Sequence, residues 1–308
     1  DLGEAFDKFF NKEAEYPKFK KKGKCEVSFF HLNNKFKVEN KHISLEKIGY
    51  VKMKDEDRLP VGNYKKDKIK VLNPRIKYNG KYWYLSLAIE LDDMEKQELT
   101  GESVGVDLGI KDLAIVSNID KPFKNINKSK EVKRLNKKLK RLQRKVSRKY
   151  DNLKVEKTFQ KGEKLTKTQN IIKLENEIRL VHKRIADIRL NHIHQTTNDI
   201  VKTKPSRVVV EDLNVKGMMK NKHLSKAIGE QSFNKFLTIL KYKCKWRDIE
   251  FVKADRFFPS SKMCSCCGTI KKDLKLKDRI YKCPNQECNL VIDRDKNASI
   301  NLANYKLA

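Results

Sequence analysis

No stretch of this 308-residue chain approaches the roughly 18 consecutive apolar residues of a membrane-spanning helix, and the mean hydropathy is −0.74. No secretory leader is recognisable at the start. A membrane protein or a secreted protein is therefore not expected. There is no Walker-type glycine loop, no His-Glu-x-x-His pair and no nucleophile elbow, which excludes the usual P-loop, zinc-protease and serine-hydrolase chemistries. The six histidines are scattered, and His182, His192 and His194 read as surface or packing residues of one helix. Acidic residues are scarce: Asp and Glu number 40 against 71 Lys and Arg, a net charge of +31. Such an excess suits no ordinary small-molecule enzyme and points to a polyanionic partner, nucleic acid first.

What is present is organised in two parts. Residues 1–102 read as a β-rich region after a short helix whose face carries Leu2, Ala5, Phe6, Phe9 and Phe10. A basic loop with interleaved aromatics follows, from Tyr16 to Lys22. Strands are expected at Val27–Phe30, Ile43–Leu45, Ile48–Val51 and Tyr82–Ile89, with Pro60, Pro74 and the hairpin pair Asn79-Gly80 as punctuation. The run Leu91–Glu102 reads as the boundary. Residues 103–308 alternate strands and helices, the pattern of an α/β domain: strands at Val104–Leu108, Leu113–Val116, Val208–Glu211 and Ile249–Val252, and helices over 231–245 and 294–304.

Within that domain, Val132, Leu135, Leu139, Leu142 and Val146 alternate spacings of three and four, as do Ile171, Leu174, Ile178, Val181, Ile185 and Ile188. Two such seams joined by a polar loop predict an antiparallel helical hairpin over about 128–203. The first of its helices carries a one-sided excess of Lys and Arg, suited to phosphate contact.

Of seven cysteines, five fall near the C-terminus. Cys264-x-x-Cys267 is followed by Cys283 and Cys288, a four-thiolate spacing that suits tetrahedral zinc and predicts a closed, structural zinc ribbon over about 260–292. Cys266 is the rival of Cys267 within the first pair, but Cys264-x-Cys266 is a tighter loop than the usual knuckle. Cys25 and Cys244 read as apolar filler.

Three carboxylates stand apart. Asp107 sits inside an apolar strand, Glu211 ends another, and Asp295 opens the last helix with Asp293 as its close rival. Each has an ordinary alternative: a turn residue, a strand-end charge, a helix N-cap. Together, three convergent carboxylates are suited to hold two Mg²⁺ or Mn²⁺ ions for phosphodiester hydrolysis.

At these residues the chain resembles a known family. Val104-Gly105-Val106-Asp107-Leu108-Gly109, Val210-Glu211-Asp212-Leu213 and Asp293-Arg294-Asp295-Lys296-Asn297-Ala298 resemble the three motifs of a RuvC-type, RNase H-like nuclease domain. With the cysteine ribbon placed just before the third motif, the set resembles the TnpB proteins of bacterial insertion sequences, commonly described as transposases and understood as RNA-guided DNA endonucleases. The resemblance implies Asp107, Glu211 and Asp295 as magnesium-binding catalytic acids, a guide RNA and a DNA target as partners, a wedge-like role for residues 1–102, and a cytoplasmic, nucleoid-associated setting. It also implies that the beginning of the family's N-terminal domain lies before Asp1. Two departures stand out: a Cys-x4-Cys second pair where x2 is usual, and Ser299 where Ala is typical. The competing expectations are a truncated nucleic-acid-binding remnant and a strand-transfer transposase.

Overall fold

The computed structural model describes residues 2–19, 25, 27–39, 41–54, 71–89, 98–156, 166–275 and 277–306. Lys20–Lys22, Pro60 and residues 91–97 of the expected boundary lie outside them. The chain divides into two units, Asp1–Met94 and Glu95–Ala308.

In the first unit, helix α1 spans Leu2–Phe10, and its Phe6 and Phe9 pack edge-on against Tyr16 at 5.8 and 5.3 Å. Among the described residues six strands follow: β1 (Val27–Phe30), β2 (Lys37–Glu39), β3 (His42–Leu45), β4 (Gly49–Lys52), β5 (Val71–Tyr78) and β6 (Trp83–Ile89). They form two antiparallel three-stranded sheets, β1-β5-β6 and β2-β3-β4. Phe36, Val38, Ile43, Leu45 and Ile76 make the core. The Asn79-Gly80 hairpin forms as expected; the Asn79 side chain accepts from the Lys81 and Tyr82 N–H groups and Gly80 takes φ 100°. Pro74 does not end a strand. It lies within β5 at a bulge, beside Asn73 at φ 51°, where the ladder register shifts between Leu72 and Arg75. A proline has no N–H to give the ladder, and a bulge is where a central strand tolerates that. Cys25 is exposed, so the filler reading fails for it; Cys244 is fully buried and fits it.

The second unit is built on strands β7 (Ser103–Leu108), β8 (Asp112–Val116), β9 (Phe123–Lys124), β10 (Arg207–Glu211) and β11 (Glu250–Ala254), in the order β11-β10-β7-β8-β9. β10 runs parallel to both its neighbours, while β7–β8 and β8–β9 are antiparallel. The parallel strands are apolar on both faces because both are covered. Val104, Val106, Leu108, Val208 and Val210 pack with α3 (Gln169–Lys202) and α6 (Phe233–Lys245) through Ile193, Ile200, Phe236 and Leu240. The alternate residues face α7 (Arg294–Ala303), whose Leu302 joins Val209, Val252 and Ala254.

The hairpin forms from α2 (Lys130–Glu156) and α3, closed by Val132, Leu139, Leu142, Val181 and Ile185. Thr168 caps α3, its hydroxyl accepting from the Ile171 N–H. The expected helix over 231–245 forms as α6, starting two residues later; before it lie the short α4 (Val215–Met218) and α5 (Ser225–Gln231), which were not anticipated, with Ser232 between α5 and α6 at φ 56°. The left-handed residue redirects the chain and leaves Gln231 buried, its amide donating to the Gly109 and Ile110 carbonyls of the loop after β7.

Candidate active site and metal centre

Side-chain alternation decides where the acids point. Gly105, Asp107, Val209 and Glu211 share the face that α7 covers, since Val104, Val106, Val208 and Val210 are committed to the opposite core. Asp107 and Glu211 therefore stand near the C-terminal ends of the neighbouring parallel strands β7 and β10, where α/β sheets place ligand sites. Asp295 lies in the first turn of α7.

The helix reaches them because β7 has no side chain at Gly105. A Cβ there would lie 2.0 Å from the Ser299 carbonyl oxygen and 2.4 Å from the Ala303 nitrogen. Ser299 is buried and satisfied, its hydroxyl donating to the Lys296 carbonyl at 2.7 Å, so the departure from Ala adds no unpaired group. Lys296 pins the start of the helix. Its ammonium donates to the carbonyls of Val116, Ser117 and Ile119 at 3.1, 2.9 and 3.0 Å. Asn297 and Asn301, one turn apart and buried, donate to the Met263 carbonyl, and Asn301 also to that of Ser260. Asn297 also accepts from the Ser265 N–H. These residues place the third acid; Lys296 and Asn297 fall within the third motif but had no role read for them, and Asn301 was not anticipated, because a lysine and two asparagines in a helix carry no chemical signature.

The acids sense one another. Burial raises Asp107 well above the ordinary aspartate range, reinforced by the charges of Glu211 and Asp295, while Arg294 opposes. Burial also raises Glu211, with Asp212 adding to it. Asp212 itself is lowered by the hydrogen bond from Arg256, at 2.7 Å. The three acids do not form a ready metal cage. Asp295 is turned onto Arg294, which donates through Nε and a terminal nitrogen at 3.0 and 2.8 Å, and Arg279 lies 3.5 Å from its other oxygen. Arg279 precedes β12 (Ile280–Lys282) in the cysteine region and was not anticipated. Asp295 is not the N-cap of α7; that place belongs to Asp293, whose carboxylate accepts from the Asp295 and Lys296 N–H groups at 2.9 and 3.1 Å.

The cysteine region contrasts with this. Cys264, Cys267, Cys283 and Cys288 bring their sulfurs within 4.8 Å of one another, and among the described residues they are the group of metal-ligating side chains so gathered. The Cys264–Cys288 and Cys267–Cys283 separations are 3.7 and 3.5 Å. Zn–S bonds of about 2.3 Å in a tetrahedron require sulfur–sulfur edges of about 3.8 Å, so the thiol set fits zinc. Each pair is wrapped by a turn whose next residue is left-handed: Gly268 at φ 77° after Cys267, Asn289 at φ 47° after Cys288. The longer Cys-x4-Cys spacing is absorbed by a turn at Asn285, whose side chain accepts from Glu287 N–H and whose carbonyl accepts from Cys288 N–H. β12 and β13 (Val291–Asp293) pair behind the cluster around the buried Tyr281. Hydrogen bonds with Thr269 lower Cys267 below the ordinary thiol range, whereas desolvation raises its neighbour Cys283. Cys266 is exposed and outside the cluster.

We expect one zinc per chain. Cys283→Ser should release it and loosen the ribbon, since structural zinc contributes ~10 kcal/mol or more of apparent binding energy. Cys266→Ser should retain it. Elemental analysis of the reduced protein checks both, and loss of zinc in Cys266→Ser would reverse the ligand assignment.

Fold and site thus define a mixed α/β domain with carboxylates gathered at the ends of its parallel strands and a four-cysteine ribbon beside them. The profile of a family described as "Probable transposase" matches residues 86–222, and that of a "Cas12f1-like, TNB domain" matches residues 233–302. A Streptomyces pristinaespiralis protein named "Putative RNA-guided DNA endonuclease" is 32% identical over the whole chain, which covers 69% of that protein. InsQ of Escherichia coli K12, which bears the same description, is 26% identical over 92% of this chain and 67% of its own length. A Mycobacterium tuberculosis relative, also so described, is 27% identical over 96% of this chain and 62% of its own. The chain belongs to the TnpB family. It spans 62–69% of the length of these relatives. Its fold resembles that of Cas12f1 in a solved complex with sgRNA and target DNA, at TM-score 0.58 and 16% identity over 96% of this chain and 67% of that one. No helix among the described residues is long and apolar enough to cross a membrane.

Proposed function

We propose that the chain is an RNA-guided, metal-dependent DNA endonuclease and that Asp107, Glu211 and Asp295 are its catalytic acids. The observation that carries the reading is their convergence: two acids on one face of adjacent parallel strands, the third delivered by the helix packed on that face. The sheet order β11-β10-β7-β8-β9, with three antiparallel neighbours extended by two parallel strands, supports an RNase H-like, RuvC-type domain. The oxygen-only donor set fits Mg²⁺ or Mn²⁺. Such ions would supply an activated water and stabilise the departing oxygen of the phosphodiester. Asp107 and Glu211 present their carboxylates, and Asp295 joins them on release from Arg279 and Arg294. Those two guanidiniums are then placed beside the phosphate, for which they are suited by charge and fork geometry. Asp293 serves as the helix cap and not as the third acid.

The nucleic acids require a large basic surface. α2 carries Lys and Arg on its exposed positions, including Lys133, Arg134, Lys137, Lys140, Arg141, Arg144, Lys145, Arg148 and Lys149. Residues 1–102 take the wedge-like role toward guide RNA, and residues 103–308 form the nuclease domain with its hairpin and ribbon. Base pairing then supplies sequence specificity. The test is to sequence RNA that co-purifies with the protein and to supply DNA matching it. Cleavage near the match that needs Mg²⁺ and stops with chelator supports the reading. Absence of cleavage with intact guide, matched DNA and Mg²⁺ overturns it.

A further inference from the structure

Phe257 is 88% exposed, among the most exposed large apolar side chains of the second unit. Its surroundings are not loose. The Phe257 N–H donates to the Asp255 carboxylate at 2.8 Å, and the Phe258 N–H to the Asp255 carbonyl at 3.1 Å. Phe258 turns inward and packs edge-on against Tyr305 at 5.0 Å, while the Tyr305 hydroxyl accepts from the Asp255 N–H. On the other side Arg256 grips Asp212 at 2.7 Å. The loop is therefore held at three points, with the Phe258 ring packed inward and the Phe257 ring left in water.

Its place is specific. Ala254 at the end of β11 is the register partner of Glu211, and Arg256 binds the residue that follows Glu211. Phe257 thus lies three residues past the strand end that is paired with Glu211, and the exposed cations Lys253, Arg256 and Lys262 are close to it in sequence, the first two paired with Asp212. A rigid aromatic among cations beside a phosphodiester-cleaving site has the chemistry of a base-stacking platform, which accepts any base because every base has a π-face.

We propose that Phe257 stacks on one nucleobase of the DNA strand being cut and so positions the adjacent phosphodiester over the acids. This rests on the nuclease reading above. The residue positions substrate and takes no part in bond making.

The experiment uses the full chain with its guide RNA and matched DNA carrying 2-aminopurine at one position at a time around the cut. Glu211→Gln holds the complex uncut for the fluorescence measurement. One position should be quenched with Phe257 present, brightened in Phe257→Ala and Phe257→Leu, and quenched again in Phe257→Trp. In the cutting background, Phe257→Ala should slow cleavage about tenfold, while Phe257→Tyr stays within about twofold. All variants should melt alike, because the ring is almost wholly exposed. Equal fluorescence at every position in wild type and Phe257→Ala, with equal cleavage, overturns the stacking role while leaving the nuclease intact. Cleavage undiminished by Asp107→Ala would instead overturn the nuclease reading, whatever the fluorescence showed.

Discussion

Asp107→Asn should cost at least about 10³ in DNA-cleavage rate while leaving the chain as stable as before or more so. The rate loss follows from what the carboxylate is asked to do. Metal-assisted stabilisation of a developing phosphoryl charge contributes several kcal/mol, and each 1.36 kcal/mol is tenfold. Asparagine keeps the shape but not the charge needed to hold a divalent ion. The stability gain follows from the cost of the wild-type residue. Asp107 is set on a strand whose neighbours Val106 and Leu108 are buried, and it faces Glu211 and Asp295. A carboxylate so desolvated and repelled destabilises the metal-free fold. Thermal melts in chelator and cleavage rates in Mg²⁺ measure the two effects on one sample. Asp293→Ala provides the contrast. It removes the cap carboxylate to which the Asp295 and Lys296 N–H groups donate, so it should cost about 1 kcal/mol of stability and only part of the activity. Full loss in Asp293→Ala with full activity in Asp295→Ala would exchange the two roles.

The strands and helices of the second unit were legible because each repeats a period that packing then uses. The valines of 104–106 and 208–210, the two heptad seams and the cysteine spacing are local patterns with one physical solution each. Where reading failed, tertiary demands outweighed local ones. Pro74 looks like a stop until a bulge removes the need for its N–H. Nothing in Gln231-Ser232-Phe233 announces a left-handed break; its reason is the Gln231 amide, which the loop after β7 requires. The candidate acids were legible one by one, as charges in apolar or helix-opening contexts. Their supports were not. Lys296, Arg279 and Asn301 act on groups distant in sequence, and only the folded sheet brings Val116, Asp295 and Met263 within their reach.

Gly105→Ala should be the most damaging one-carbon change in the second unit. The added methyl would sit 2.0 Å from the Ser299 carbonyl oxygen, 2.4 Å from the Ala303 nitrogen and 2.8 Å from the Leu302 Cβ. Two of those are backbone atoms of α7, so no side chain can swing aside; the helix itself must lift from β7. Overpacking of a filled core costs about 1–3 kcal/mol and occasionally more, and a clash with backbone belongs at the upper end. In a domain of this size that lowers the melting midpoint by roughly 6–12 °C. Lifting α7 also draws Lys296 from its three carbonyls and Asp295 from Asp107, so cleavage should fall even at temperatures where the variant is fully folded. Gly3→Ala is the control, since a Cβ at Gly3 meets nothing within 4 Å; it should leave both melting and cleavage unchanged. A Gly105→Ala protein that melts and cuts like wild type would mean that α7 does not rest on the β7 backbone, and with it would go the account of how the third acid reaches the other two.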